Sequence, residues 1–166
     1  MAEKNISEDR RRALEKEVKK VLDVSKNCAQ TSFSVLQQEF NLEGKEILKA
    51  LTPFPGMALR GETCGAVSGC MMALGLVYGR DDLGDWKGYL RSLPPTRRFC
   101  RRFEAENGSL ACADLLEAKM GRRYDLSDRV DSLKYAAMGG KKTCAKIIAN
   151  AVMISAEIIE NSPPRR

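Results

Sequence analysis

The sequence predicts an all-α, single-domain compact helical bundle. Three observations predict it. Apolar residues recur three and four apart in nearly every segment, as they do on one face of a helix. No segment alternates apolar and polar residues over the length of a strand. The 166 residues fit one domain able to bury a sizeable core, and the charged and apolar contents are ordinary for a globular chain.

Taken in order, residues 7–24 carry a helical period, with Ser7 as the capping oxygen. Residues 28–40 continue that helix or begin a second one. Residues 43–51 form a short third. Residues 52–61, TPFPGMALRG, form a loop, because Pro53, Pro55, Gly56 and Gly61 break regular structure. Residues 63–78 make a buried helix of small and apolar residues, and 79–84 a turn. Residues 85–93 make a short helix that Pro94 and Pro95 end. A basic helix over 96–107, helices over 109–119 and 126–138, and a last helix over 143–160 complete the bundle. Residues 161–166 read as a frayed tail. The expected organisation is a charged N-terminal helix over 1–24, a four-cysteine helical domain over 25–160 and the tail. No solenoid-type repeat is present.

Composition narrows the chemistry. The chain has no histidine and six cysteines, with no C-x-x-C. Histidine triads, histidine zinc or haem ligands and histidine acid–base catalysis are therefore excluded. Thiolate is the soft ligand that suits iron–sulfur, zinc and Cu(I). The net charge of +6 collects at Arg10–Arg12, at Arg97, Arg98, Arg101 and Arg102, at Arg122 and Arg123, and at Lys141 and Lys142. Acidic residues are interspersed and aromatics are sparse, so these clusters read as solvated faces and not as a nucleic-acid interface. No apolar run reaches the length of a membrane span. The charged start, MAEKNISEDRRRALEKEVKK, has no apolar signal region. The expected location is a reducing cytoplasm, where structural disulfides are rare. No P-loop and no dinucleotide fingerprint is visible, and no obvious nucleophile is paired with a base.

Four cysteines, Cys28, Cys64, Cys112 and Cys144, each open an apolar stripe at helical spacing. Val67 and Met71 follow Cys64, Leu115 and Leu116 follow Cys112, and Ile147, Ile148 and Ala151 follow Cys144. Capping residues stand upstream of each: Asn27, Thr63, Ser109 and Thr143. Each thiol is thus expected near a helix start, where the dipole favours a thiolate, and the four can converge on one anionic centre. Their structural alternative is burial as small hydrophobes. Cys70 reads as core. Cys100, among four arginines, reads as incidental or as an isolated acidified thiol. Gly61, Gly65 and Gly69 lie in or before one helix, and each helical glycine costs up to about 1 kcal/mol against alanine. Close packing by a neighbouring helix, at a dimer interface among other places, or room for a bulky group beside Cys64 would explain them.

The segments GETCGAVSG at 61–69, NCAQ at 27–30, GSLACADLL at 108–116 and TCAKIIANA at 143–151 resemble the redox-active C_GCAxxG_C_C family, which is named for four cysteines and a motif around the second. The resemblance covers residues 27–159 and implies the same four cysteines, with Cys70 and Cys100 extra. The family is similar to the iron–sulfur part of split-Soret cytochromes. This chain lacks C-x-x-C-H and histidine, so the haem half of that likeness is excluded.

The first reading is therefore a redox-active protein holding an iron–sulfur cluster, [2Fe–2S] before [4Fe–4S], through Cys28, Cys64, Cys112 and Cys144, for electron transfer or redox sensing. Glu62, Thr63, Lys141 and Thr143 are the candidate surrounding polar groups. The alternatives are a cofactor-free thiol–disulfide protein working through the same four residues, a helical interaction module with buried cysteines, and last a structural zinc site made of four cysteine thiolates. A homodimer stays open, and no redox partner is legible.

Overall fold

The computed structural model describes residues 6–162. Among these residues there are nine helical elements and no strand: α1 (Glu8–Ser25), α2 (Cys28–Glu39), α3 (Lys45–Ala50), α4 (Gly56–Leu59), α5 (Gly65–Tyr78), α6 (Trp86–Asn107), α7 (Cys112–Met120), α8 (Arg129–Ala137) and α9 (Gly140–Asn161). The expected all-α single domain is present.

Helix α1 starts where Ser7 Oγ accepts the Arg10 N–H and where Glu8 and Asp9 complement the dipole. It stops at Lys26, whose backbone is left-handed at φ 53°. Two helices therefore exist where the sequence left one or two open. Leu14, Val18 and Leu22, spaced by four, are its buried stripe. Helix α2 begins on Asn27, whose side-chain oxygen accepts from Ala29 and Gln30 N–H at 3.1 and 3.0 Å.

Helices α2, α5 and α9 pack against one another, α1 lies on α2 and α9, and α6 on α5 and α9. Phe33, Phe99 and Phe103 are fully buried in the common core. Helix α9 is buried almost continuously from Ala145 to Ile159. The α2–α5 contact explains the glycines of the fifth helix. A Cβ on Gly69 would overlap the Ala29 carbonyl oxygen and Ser32 Oγ, so the two backbones meet here within the chain.

Several boundaries differ from expectation. The two helices expected over 85–93 and 96–107 are one, α6, with Pro94 and Pro95 inside it. Each proline removes one helical donor. Thr96 Oγ1 donates to Ser92 O and Leu93 O, at 3.1 and 3.0 Å, and Ser92 Oγ to Tyr89 O at 2.7 Å, back-bonds to carbonyls beside the two that the prolines leave without a helical donor, Leu90 O and Arg91 O. Helix α9 starts at Gly140 behind the left-handed Gly139, not at Thr143. The 52–61 loop contains α4, a single turn in which Gly56, Met57, Ala58 and Leu59 all have φ between 51° and 64°. Three of these are not glycine, a run that costs backbone strain at each position.

Of the expected tail, residues 163–166 lie outside the described residues. Asn161 ends α9, and Ser162 is held by Tyr78 and Arg98, whose hydroxyl and guanidinium donate to it at 2.8 Å each.

Many basic groups are ion-paired, which supports the solvated-face reading. Arg10 joins Glu39 and Glu160, Arg122 joins Asp131, and Arg123 joins Asp114 and Glu117. Glu157 is the buried member of this set, 2.6 Å from Arg102. Replacing Arg102 by leucine should cost about 3 kcal/mol in urea unfolding, because Glu157 would keep its buried charge without that cation. Glu157→Gln on the same background should recover much of the loss. No helix among the described residues is long and apolar enough to cross a membrane.

Candidate functional site

Each of the four sequence-selected cysteines stands at a helix start. Cys28 is the first residue of α2, Cys64 caps α5, Cys112 is the first residue of α7, and Cys144 lies in the first turns of α9. Backbone pairing brings two of these starts together. Thr63 and Ala111 form an isolated antiparallel bridge. Around it Cys64 N–H donates to Leu110 O at 2.8 Å, Cys112 N–H to Glu62 O at 2.6 Å, and Ala113 N–H to Gly61 O at 2.9 Å. This short clamp sets Cys64 beside Cys112.

Glycines bring in the other sulfurs. A Cβ on Gly65 would overlap the Cys28 sulfur and sit 3.0 Å from Ala29 N and 3.2 Å from Pro55 Cα. A Cβ on Gly56, in the left-handed turn, would sit 3.5 Å from Cys112 Sγ. The strained α4 thus lays bare backbone against the Cys112 side chain.

Charge interactions report the resulting grouping. Cys64 feels Cys28, Cys112 and Cys144; Cys28 feels Cys144 and Cys112; and Cys112 feels Cys144. Ionisation of each thiol is thus opposed by charge on its neighbours. Burial is the larger effect. It and the neighbouring thiols push Cys28 up to about 12. Burial, then Cys144, pushes Cys112 to about 11. Cys64 is raised well above its ordinary value by burial and then by the other three. Cys144 is raised by burial. The sequence expectation that helix starts leave these thiols acidified is thus reversed in the metal-free chain: desolvation outweighs the dipole. Cys100 is likewise not acidified. Burial and Glu104 raise it, and its sulfur lies 3.9 Å from Met71 Sδ. Cys70 is fully buried core, as expected.

The groups that do favour thiolates are local N–H and O–H donors. The Ala66 N–H supports the Cys64 sulfur, and the Cys28 and Ala29 N–H groups support Cys28. Tyr135 donates its hydroxyl to Cys144 Sγ at 3.0 Å. Of the polar neighbours expected from sequence, Glu62 has an exposed side chain and contributes its carbonyl. Thr63 contributes the backbone bridge. Lys141 is turned to α1, where it pairs with Asp23. Thr143 is half-buried within the first turn of α9 and does not cap it. Sequence reasoning missed Tyr135, because nothing in its own segment links it to a cysteine nine residues on.

All six cysteines are free thiols, and no group of three or more cysteine, aspartate and glutamate side chains stands in ligating geometry for a metal among the described residues. The donor set still fits a thiophilic centre. It offers four mutually opposed sulfurs, N–H and O–H groups directed at three of them, and a glycine at the one place where a Cβ would strike a sulfur. A bound cation would offset both the burial and the mutual repulsion that favour the protonated thiols.

A comparison with curated proteins and one with solved structures find no match. The family described as "Putative redox-active protein (C_GCAxxG_C_C)" matches residues 26–158. When its GCAxxG is placed on Cys64, the positions read Thr63, Cys64, Gly65, Ala66, Val67 and Ser68. Small residues stand at every departure, and Gly65 replaces the alanine. The match spans well over half of the chain, and the chain belongs to the C_GCAxxG_C_C family of redox-active proteins.

Proposed function

We propose that Cys28, Cys64, Cys112 and Cys144 hold an iron–sulfur cluster that serves electron transfer or redox sensing. A [2Fe–2S] centre is the first expectation and [4Fe–4S] the spectroscopic alternative. The observation that carries this reading is the meeting of helix starts: the backbone clamp sets Cys64 beside Cys112, and Gly65, the residue after Cys64, abuts the Cys28 sulfur. When bound, such a cluster supplies a one-electron couple. The chain's part is to bring four distant cysteines together, shield them in part from water and direct N–H and O–H donors at their sulfurs. A reducing cytoplasm would keep the four available.

The raised thiols also weigh between readings. Disulfide exchange needs a thiolate attacker, and thiols raised to about 11 and about 12 supply little of it near neutrality. Metal uptake displaces the protons instead. The second reading, a cofactor-free thiol–disulfide protein, draws on the family's redox description, which a dithiol–disulfide couple would meet without a metal.

Protein expressed with ample iron and purified without air is expected to be coloured and to carry about two iron and two sulfide per chain for a [2Fe–2S] centre. Cys64→Ser should lower both at least tenfold, and Cys100→Ser should leave them unchanged. Colourless, metal-free wild-type protein overturns the cluster. Reversible loss of two thiols from that protein on mild oxidation would then establish the second reading.

A further inference from the structure

Helix α8 has no buried residue and packs on the start of α9. It leaves Val130 and Leu133 exposed. Tyr135 is the group it sends toward the cysteines. Its hydroxyl lies 3.0 Å from Cys144 Sγ and donates to it. Its ring is fitted from two sides. Tyr124, itself buried, meets it edge-on with centroids 5.8 Å apart. Gly140 lies under the ring, and a Cβ there would overlap the ring carbons. The segment carrying Tyr124 is fastened to α8 by Arg122 on Asp131 at 2.8 Å and by Asp125 N–H on the same carboxylate at 3.1 Å. The phenol is therefore placed by packing and not by chance rotation.

We infer that Tyr135 is a positioning residue of the four-cysteine centre: its O–H, donated to Cys144 Sγ, fixes that sulfur's direction and carries part of the charge that develops on it. The inference rests on the reading of the four cysteines as one centre and extends it to α8. Oxygen-bound hydrogen aimed at a ligand sulfur orients the ligand and lowers its electron density, as other outer partners of metal ligands do.

Tyr135→Phe tests this, because the ring and its contacts with Tyr124 and Gly140 remain and only the donor is lost. In reduced, metal-free protein, residue-resolved alkylation by iodoacetamide should be about threefold to tenfold slower at Cys144, whose thiolate loses a hydrogen bond. Cys112 should stay within twofold. In iron-loaded protein, release of iron to a chelator should be about tenfold faster or more in the variant. Alkylation of Cys144 at the wild-type rate in the variant overturns the assignment. The two readings fail separately: wild-type protein that takes up no iron overturns the cluster, while the alkylation comparison still decides the role of Tyr135.

Discussion

Gly69→Ala is expected to lose about 2–3 kcal/mol of folding stability in urea titration, while Gly75→Ala, six residues further along the same helix, should gain about 0.5–1 kcal/mol. Both glycines lie in α5, and intrinsic propensity favours alanine at both. They differ in what the new methyl meets. At Gly69 it would overlap the Ala29 carbonyl oxygen and Ser32 Oγ, with the Ala29 carbonyl carbon at 3.1 Å. Backbone cannot rotate away, so α2 and α5 must separate. At Gly75 nothing lies within 4 Å. Equal effects at the two sites would mean that the α2–α5 backbone contact does not exist. Gly65→Ala lies between the two cases. Its methyl would strike the Cys28 sulfur, which can turn, and also stand 3.0 Å from Ala29 N, which cannot. That variant should therefore disturb the cysteine centre more than its loss of stability alone would predict.

Those glycines also show how much of the fold and site the sequence exposed. Periodicity identified the helices because their buried faces are simple: Leu14, Val18 and Leu22 in α1, and Leu115 and Leu116 behind Cys112 in α7. The cysteine positions were legible for the same reason, since each begins a buried stripe. Interruptions were less legible. Pro94 and Pro95 read as a stop, yet α6 runs through them. A stop signal is local, and its outcome depends on packing further along, here on Phe99 and Phe103. The glycine argument found the crowding and left its partner open. The partner is α2, well upstream in the chain. The thiol acidities came out reversed because helix dipoles can be read from position, whereas desolvation depends on everything that folds around the site. The Thr63–Ala111 bridge and the Tyr135 hydroxyl are long-range pairings with no local period, so no pattern within one segment could show them.

The metal-free protein should lose stability as the pH rises above about 9, and the cysteine centre should be the cause. The ordinary thiol value is 9.0, and in the folded chain Cys28 titrates at about 12 and Cys112 at about 11. Below the ordinary value both folded and unfolded chains hold the proton, and the stability is fully present. Between the two values the unfolded chain has released its proton and the folded chain has not. The unfolded state then binds fewer protons, so stability falls with pH, by about 1.4 kcal/mol per pH unit for each such thiol. Cys64 and Cys144 are raised in the same direction and steepen the fall. Lysines and tyrosines also titrate at high pH, so the informative quantity is the difference between wild type and Cys28→Ala/Cys112→Ala. Urea unfolding under reductant from about pH 8 to about pH 10.5 should show the double variant with a distinctly shallower decline. Parallel curves would mean that these thiols are not desolvated together. A bound thiophilic cation reverses the sign, because it binds the thiolates themselves. The loaded protein should hold its stability through the alkaline range and lose it toward acid, where protons compete for the sulfurs. Opposite pH slopes for the free and loaded chains would then be two measurements of one cause, the cost of sulfur charges gathered in a largely desolvated place.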